Sequence, residues 1–499
     1  MKKRLWIIIL VTAAIAAALL LWRWLSLPVP DKLSPEDVHS LAGPCDSIVV
    51  EASFIPESNS MHVRQTLFLT SRTPESRDTV VLRTWPNAFQ KLDTSPLASE
   101  AEYSAFYPEG FSMGALVMQN ASLEKEGMAA SEILYRYADD AKTVLTLPLP
   151  GSWQEGETLA ITLEYTLILP KAASRYGVWD DIYSFGNAFP LPAIWEEGSW
   201  RTDEYTLVGD PFYSELFHFD VTLTSPDGYA CAAPVLPSVE NRQDGNTVRH
   251  YRLAAARDFA LCLSREYRLT TIKRGSITVQ AFTKEPAQGR RAAEYALKAL
   301  DTYSFLYGPY PYDCFTLAQI AFPHSGMEYP AMALLSGDVL AAENDTLEAV
   351  IAHETAHQWW YSLVGSDPVN HPWQDEALCE FSRLTYWEKH HGKAAAEDIF
   401  QREILPSLRV SYTATAGSPL SWFSDMDEYY ILVYNRGAAM LCALDHIMGG
   451  DLNGFLRFYR ERYAFRIAGR ADFLSALREY SGQDYEPLII DYLDTLITP

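Results

Sequence analysis

His353-Glu354-Thr355-Ala356-His357 holds the residue types that hydrolytic metal chemistry needs, at the spacing it needs them. Side chains four apart on a helix share one face, so the two imidazoles converge on one point. Glu354 lies one position round from His353, where its carboxylate reaches a water beside the metal without becoming a ligand. Eighteen residues separate His357 from Glu376, which lies within Trp373-Gln374-Asp375-Glu376-Ala377-Leu378. Two histidines and one carboxylate leave zinc an open fourth position, the ligand pattern of a catalytic site rather than a structural one. The expected cofactor is therefore one zinc ion per chain on His353, His357 and Glu376, with Glu354 as general base. The bland alternative is a pair of packing histidines with Glu376 capping a helix. Glu380, one helical turn after Glu376, either accepts a hydrogen bond from a ligating histidine or is simply solvated.

Such ligands must stand on two helices, and the sequence supplies them. Residues 345–363 carry helical periodicity; Gly365, Pro368 and Pro372 interrupt it; 374–391 resume it. Further helical stretches are expected over 394–408, 428–448, 451–465, 470–480 and 484–497, and Gln288–Tyr307 reads as an amphipathic helix. Ser276–Phe282 and Cys314–Phe322 read as strands. The half of the chain after 266 is thus a small mixed sheet followed by helices.

Residues 45–265 have another texture. Short alternating segments such as His62–Thr70, Thr79–Arg83, Thr158–Leu169, Phe217–Thr224 and Thr247–Leu253 are separated by Pro, Gly, Asn and Asp. Period-two alternation with regular turn signals predicts an antiparallel β-sandwich, with Arg257–Ser264 as its last strand. The fold class expected is α+β multidomain.

The N-terminus begins with a basic Met1-Lys2-Lys3-Arg4, and Leu5 to Trp22 then runs without a charge, flanked by tryptophans. That length suits a transmembrane helix with residues 1–4 in the cytoplasm. The expectation is a single-pass membrane protein, with the anchor in 1–25, a proline-containing linker over 26–44 and an extracytoplasmic catalytic domain. A cleaved secretory signal is the alternative. The formal net charge of −24 makes nucleic acid an unsuitable partner. Six cysteines at irregular spacing read mostly as buried small apolar residues, with a Cys231–Cys262 bridge as the one candidate disulfide.

Taken together, these segments resemble the M1 (gluzincin) family of zinc aminopeptidases. The two histidines and Glu376 match its His-Glu-x-x-His-x18-Glu pattern, Gly326-Met327-Glu328-Tyr329 is similar to its Gly-x-Met-Glu-Asn motif, and Tyr434-Asn435-Arg436-Gly437 is similar to its Tyr-x-Lys-Gly segment. The resemblance spans roughly residues 45–499. It implies a saddle-like β-sandwich before a thermolysin-like catalytic domain, with the long C-terminal helical domain of many relatives missing. It implies zinc ligation by His353, His357 and Glu376, and catalysis by Glu354 with Tyr434 on the oxyanion. It also implies that Glu328 holds the free amine of a peptide substrate, with backbone at Gly326 and Met327 lining the first side-chain site. Tyr329, Asp375, Ala377 and Arg436 depart from the family residues, and Asn187 is the only candidate for a second amine contact in the β region. These departures keep two alternatives open: a zinc endopeptidase or other zinc hydrolase on the same scaffold, and an inactive membrane-tethered binding protein.

Overall fold

The computed structural model of the protein describes residues 32–96, 100–125, 127–206 and 208–496. Its first part is built of sheets and its second mainly of helices, as the change in texture predicts. The largest sheet has eight strands: β1 (Asp46–Ile55), β2 (Ser60–Thr70), β3 (Ala115–Lys125), β4 (Met128–Glu132), β5 (Thr158–Ile168), β6 (Phe217–Pro226), β7 (Val239–Gln243) and β8 (Asn246–Ala256), in the order β7-β8-β6-β1-β2-β5-β3-β4. Alternation sets its faces. In β2, Met61, Val63, Leu67 and Leu69 are buried while His62, Arg64 and Phe68 are exposed. The open face carries threonine pairs across strands, Thr66 with Thr162 at 3.0 Å and Thr70 with Thr158 at 3.1 Å. One neighbour pair departs from the antiparallel expectation: β1 runs parallel to β6, pairing Asp46–Ser53 with Phe217–Thr224. Alternation fixes which face a side chain takes but not the direction of a distant partner strand.

A second, five-stranded mixed sheet positions the site. Its strands are β9 (Arg268–Arg274), β10 (Ile277–Thr283), β11 (Cys314–Ile320), β12 (Gly326–Tyr329) and β13 (Met332–Ser336), in the order β9-β10-β11-β13-β12, so β12 is an edge. Helix α1 (Pro286–Tyr307) packs against β9 and β10 through Ala292, Ala293, Ala296 and Leu300. Helix α2 (Thr346–Ala356) packs against α1, β12 and α3 (Trp373–His391). The Tyr303 hydroxyl of α1 donates to the Ala352 carbonyl at 2.9 Å, a buried bond that fixes the height of α2.

Several expected elements are shorter or more irregular. The helix expected over 345–363 ends at Ala356. Beyond His357 the backbone turns through Tyr361, whose φ of 126° no α-helix contains, and the Tyr361 N–H donates to the Val364 carbonyl at 2.9 Å. The helix expected over 428–448 is broken by a π-helical stretch, Tyr430–Arg436. Within the expected linker, Pro35–Ala42 forms a helix with a Ser34–Asp37 capping box, and Val38 is buried on the body.

Two expectations are corrected. All six cysteines are free, so the Cys231–Cys262 bridge does not form. Cys231 lies opposite Leu263 and Cys262 opposite Ala232, which sends the two thiols to opposite faces of their sheet. The expected single-pass membrane placement with an extracytoplasmic catalytic domain is also overturned. Among the described residues no helix is long and apolar enough to cross a membrane. The longest, α1, has 22 residues, but it carries charges around an alanine-rich buried face. The apolar run from Leu5 to Trp22 that prompted the expectation lies outside the described residues.

Candidate metal centre and substrate cavity

His353 and His357 come from the last turn and C-cap of α2, and Glu376 from the first turn of α3. Pro372 opens α3, where a missing N–H costs nothing, and the turn between the helices carries Glu376 back over the histidine pair. The three donor atoms form a near-equilateral triangle. His353 Nε2 lies 3.1 Å from His357 Nε2, and Glu376 Oε2 lies 3.2 Å from the first and 3.5 Å from the second. A tetrahedral zinc ion with bonds of about 2.0–2.1 Å holds its donors about 3.3–3.4 Å apart. The residues present therefore fit the metal expected from the sequence.

The other imidazole nitrogens explain how the rings are aimed. His353 Nδ1 donates to Glu380 Oε2 at 3.3 Å, and His357 Nδ1 donates to Asp375 Oδ1 at 2.6 Å. Carboxylate partners at Nδ1 turn both Nε2 lone pairs toward Glu376. Glu380 is itself gripped by Arg383, a buried pair that keeps the Glu380 carboxyl low, at about 2, despite its burial. Burial alone would discourage charge on His353, yet Glu376 and Glu380 push it up to about 9. The pocket is electrostatically built for a cation at the point where the triangle closes.

Glu354 stands beside this point. It is 6% exposed, its Oε2 has no hydrogen-bond partner, and burial pushes its carboxyl up to about 7. A base poised near neutral pH with a free oxygen is suited to proton transfer. Gly326 makes room for it: a Cβ there would lie 2.6 Å from Glu354 Cδ. On the same edge strand Met327 and Glu328 are buried. One carboxylate oxygen of Glu328, one of Glu354 and one nitrogen of His357 lie within 4.8 Å of one another. Burial holds the Glu328 carboxyl well above its ordinary range. Tyr434 arrives on the π-helical stretch and stacks on His353, with ring centroids 5.5 Å apart and planes 13° from parallel. Burial and then the Glu376 charge keep its phenol protonated, hence a donor. Arg436 turns away from the metal and donates to the Ser407 and Val410 carbonyls at 2.8 and 2.7 Å, tying the π-helical stretch to that loop. Gly326, Met327, His353, Glu354, Glu380 and Tyr434 line one cavity of about 870 Å³.

His353, Glu354, His357, Glu376, Gly326, Met327, Glu328 and Tyr434 thus lie together. Asn187 is not part of it. Its Oδ1 accepts the Tyr329 hydroxyl at 2.8 Å and its Nδ2 donates to Asp258 at 2.7 Å, so both ends of the amide are committed. The residue from the β region that does reach the centre is Asp210, whose carboxylate meets those of Glu328 and Glu376 within 4.8 Å and is ion-paired with Arg175. Nothing in the local Gly-Asp-Pro sequence marks it, because its partner Glu376 is far along the chain. Asp375 was likewise visible only as an acid beside a ligand; its bond to His357 depends on how α3 crosses α2.

Residues 291–492 match the family profile described as the peptidase family M1 domain. The chain is 28% identical over 190 residues to leukotriene A-4 hydrolase of Xenopus laevis, covering 35% of this chain and 30% of that protein. It is 27% identical over 230 residues to aminopeptidase M1-A of Oryza sativa subsp. japonica, covering 42% of this chain and 26% of that one. It is also 27% identical over 184 residues to leucine aminopeptidase 2 of Saccharomyces cerevisiae, covering 35% and 27%. The matched stretches thus span less than a third of these relatives' own lengths. In three dimensions the chain is similar to an M1 zinc metallopeptidase from Deinococcus radiodurans, with a TM-score of 0.64 at 16% identity over 92% of this chain and 96% of that one. At that identity the likeness is one of fold.

Proposed function

We propose that this chain is a zinc-dependent peptidase that removes residues from the free N-terminus of peptides. The observation that carries the reading is the triangle of His353 Nε2, His357 Nε2 and Glu376 Oε2, closing beside an unpartnered oxygen of Glu354. The peptidase family M1 match over the same residues supports it. Zinc bound there supplies Lewis acidity, polarising the scissile carbonyl and making water acidic.

The side chains do the rest. Glu354 takes the proton of the attacking water and passes it to the nitrogen of the departing amine. The Tyr434 phenol donates to the carbonyl oxygen as charge builds on it. Glu380 and Asp375 hold the two imidazoles in one orientation. Glu328 and Asp210 receive the substrate's ammonium group through charge-assisted hydrogen bonds, which places the first peptide bond at the metal. Backbone at Gly326 and Met327 borders the site of the first side chain. In this reading a β unit over 45–265 contributes Asp210 and a catalytic unit over 266–499 contributes everything else.

The test compares leucine amide with N-acetyl-leucine amide on zinc-loaded protein. Hydrolysis of the free-amine compound alone, abolished by a chelator and restored by zinc, is expected. Equal cleavage of the acetylated compound would replace the exopeptidase reading with an endopeptidase one. Hydrolysis indifferent to chelation would sink the metal chemistry altogether.

A further inference from the structure

Tyr361 holds a backbone conformation that its own side chain opposes. Its φ of 126° lies in the range that glycine takes freely and a bulky L residue takes only under constraint. The residue stands four positions after His357, in the turn that follows α2. That torsion decides where the peptide between Trp360 and Tyr361 points. The N–H of this peptide donates to the Val364 carbonyl at 2.9 Å. Its carbonyl, on Trp360, faces His357 Nδ1 at 3.3 Å, beside the 2.6 Å bond from the same nitrogen to Asp375. The Ser362 N–H closes the turn by donating to the His357 carbonyl at 2.9 Å. A relaxed φ at Tyr361 would swing the Trp360 carbonyl away from the imidazole.

The constraint comes from the β region. Arg257, directly after β8, is 3% exposed, and its guanidinium binds three backbone carbonyls. Nε donates to Tyr361 at 2.8 Å, Nη1 to Ser214 at 2.8 Å and Nη2 to Arg466 at 3.0 Å. These carbonyls belong to segments far apart in sequence, so one planar fork sets the register of all three. The Ser214 hydroxyl donates to the Arg257 carbonyl at 2.7 Å, which fixes the backbone of the arginine itself. Gly365 gives the guanidinium its place, since a Cβ there would lie 2.7 Å from Arg257 Nε. On the other side of the strained residue, the Trp360 indole N–H donates to the Ser382 hydroxyl of α3 at 3.0 Å. Tyr361 is thus gripped from both ends.

We infer that Arg257 is a positioning residue for the metal centre: it holds Tyr361 in its strained turn, and the turn presents the Trp360 carbonyl to His357. Arg257 touches neither metal nor substrate and acts through the backbone. Two acceptors at Nδ1, a carboxylate and a carbonyl, fix the tautomer and the ring plane of His357, and with them the direction of its Nε2 lone pair. The inference rests on the zinc triangle proposed above and gives it a support outside both metal-bearing helices.

The test is a double-mutant cycle read in zinc affinity, by competition with a chromophoric chelator on folded protein. Arg257→Gln should raise the zinc dissociation constant about tenfold to a hundredfold, the usual cost of losing a group that orients a metal-bound histidine. Tyr361→Gly frees the turn from its need for constraint, because glycine adopts positive φ without strain. In that background the Arg257→Gln change should weaken zinc binding at least about fivefold less than in the parent. An unchanged dissociation constant in Arg257→Gln, or an equal loss in both backgrounds, would overturn the inference, whatever happens to stability in urea. Should Arg257→Gln fail to fold, Gly365→Ala replaces it in the cycle, because the added Cβ crowds the guanidinium off the Tyr361 carbonyl and leaves the arginine in place. The same two outcomes then decide. A parent that binds no zinc would defeat the triangle and this inference together; a parent that binds zinc no more tightly than its variants would defeat this inference alone.

Discussion

The metal half of the cavity and its substrate half are built in different ways. The metal half stands on two consecutive helices, α2 and α3, and its two imidazoles are each held by a second group: His353 by Glu380, which Arg383 grips in turn, and His357 by Asp375. The substrate half is assembled from Arg175, Asp210 and Gly326–Glu328, segments that meet only after the β region has folded against the five-stranded sheet. The first design fixes a few ångströms of geometry with short-range connections. The second leaves each contributing segment free to change without disturbing the metal. A scaffold divided this way can keep one chemistry while its selectivity drifts.

Substitutions should respect that division. The largest effect is expected from Glu376→Ala, which removes one corner of the triangle and leaves two imidazoles aimed at an incomplete site. Hydrolysis should fall to background on every substrate, with zinc content by atomic absorption falling in parallel; full zinc occupancy with retained turnover would remove Glu376 from the metal half. If Tyr434 donates to the developing oxyanion as proposed, Tyr434→Phe should cost about 10²–10³ in kcat, roughly 2.7–4 kcal/mol, with little change in KM. A loss seen mainly in KM would move Tyr434 to the substrate half.

Asp210→Asn should behave in the opposite sense. On the proposed reading it keeps shape but removes one of the two carboxylates that meet the ammonium, so KM for free-amine substrates should rise about tenfold while kcat changes less. A drop dominated by kcat would show Asp210 acting on the metal instead. The smallest effect concerns stability alone. Tyr329, Asn187 and Asp258 form a buried hydrogen-bond chain from the edge strand into the β region, and burial pushes the Asp258 carboxyl up to about 7. A folded-state value raised above the ordinary 3.8 means stability present in acid that is lost as pH rises toward 7. Asp258→Asn has no such proton to lose. Urea unfolding at pH 4.5 and pH 8 should therefore show the variant losing less stability across that range than the parent, by on the order of 1–4 kcal/mol. Identical pH slopes would mean that Asp258 is not held protonated in the folded protein.

Much of the metal half was legible before any coordinates, and the reasons are local. Histidines four apart, a glutamate between them and another after a proline-punctuated gap can be read from helical periodicity alone, because a helix converts spacing directly into facing. The alternating strands were legible for the same reason, since a period of two converts spacing into sides. The irregular pieces were not. The early end of α2 at Ala356 and the π-helical turn that aims Tyr434 both interrupt periodic stretches whose sequence looks continuous. Each is imposed by packing that outweighs local preference. The parallel pairing of β1 with β6 was likewise hidden, since strand direction leaves no mark on alternation.

By itself, then, the order of residues singled out His353, Glu354, His357 and Glu376, the helical frame beneath them and the change from a strand-rich to a helix-rich part. Tertiary structure alone decided that Asp375, not some other acid, orients His357, that Asp210 and not Asn187 reaches the centre, and that Arg257 of the β region meets the turn behind His357. The physical reason is range. Spacing along a helix or strand fixes contacts a few residues apart, whereas groups separated by a hundred residues or more are joined only by how sheets and helices pack, and packing has no local code.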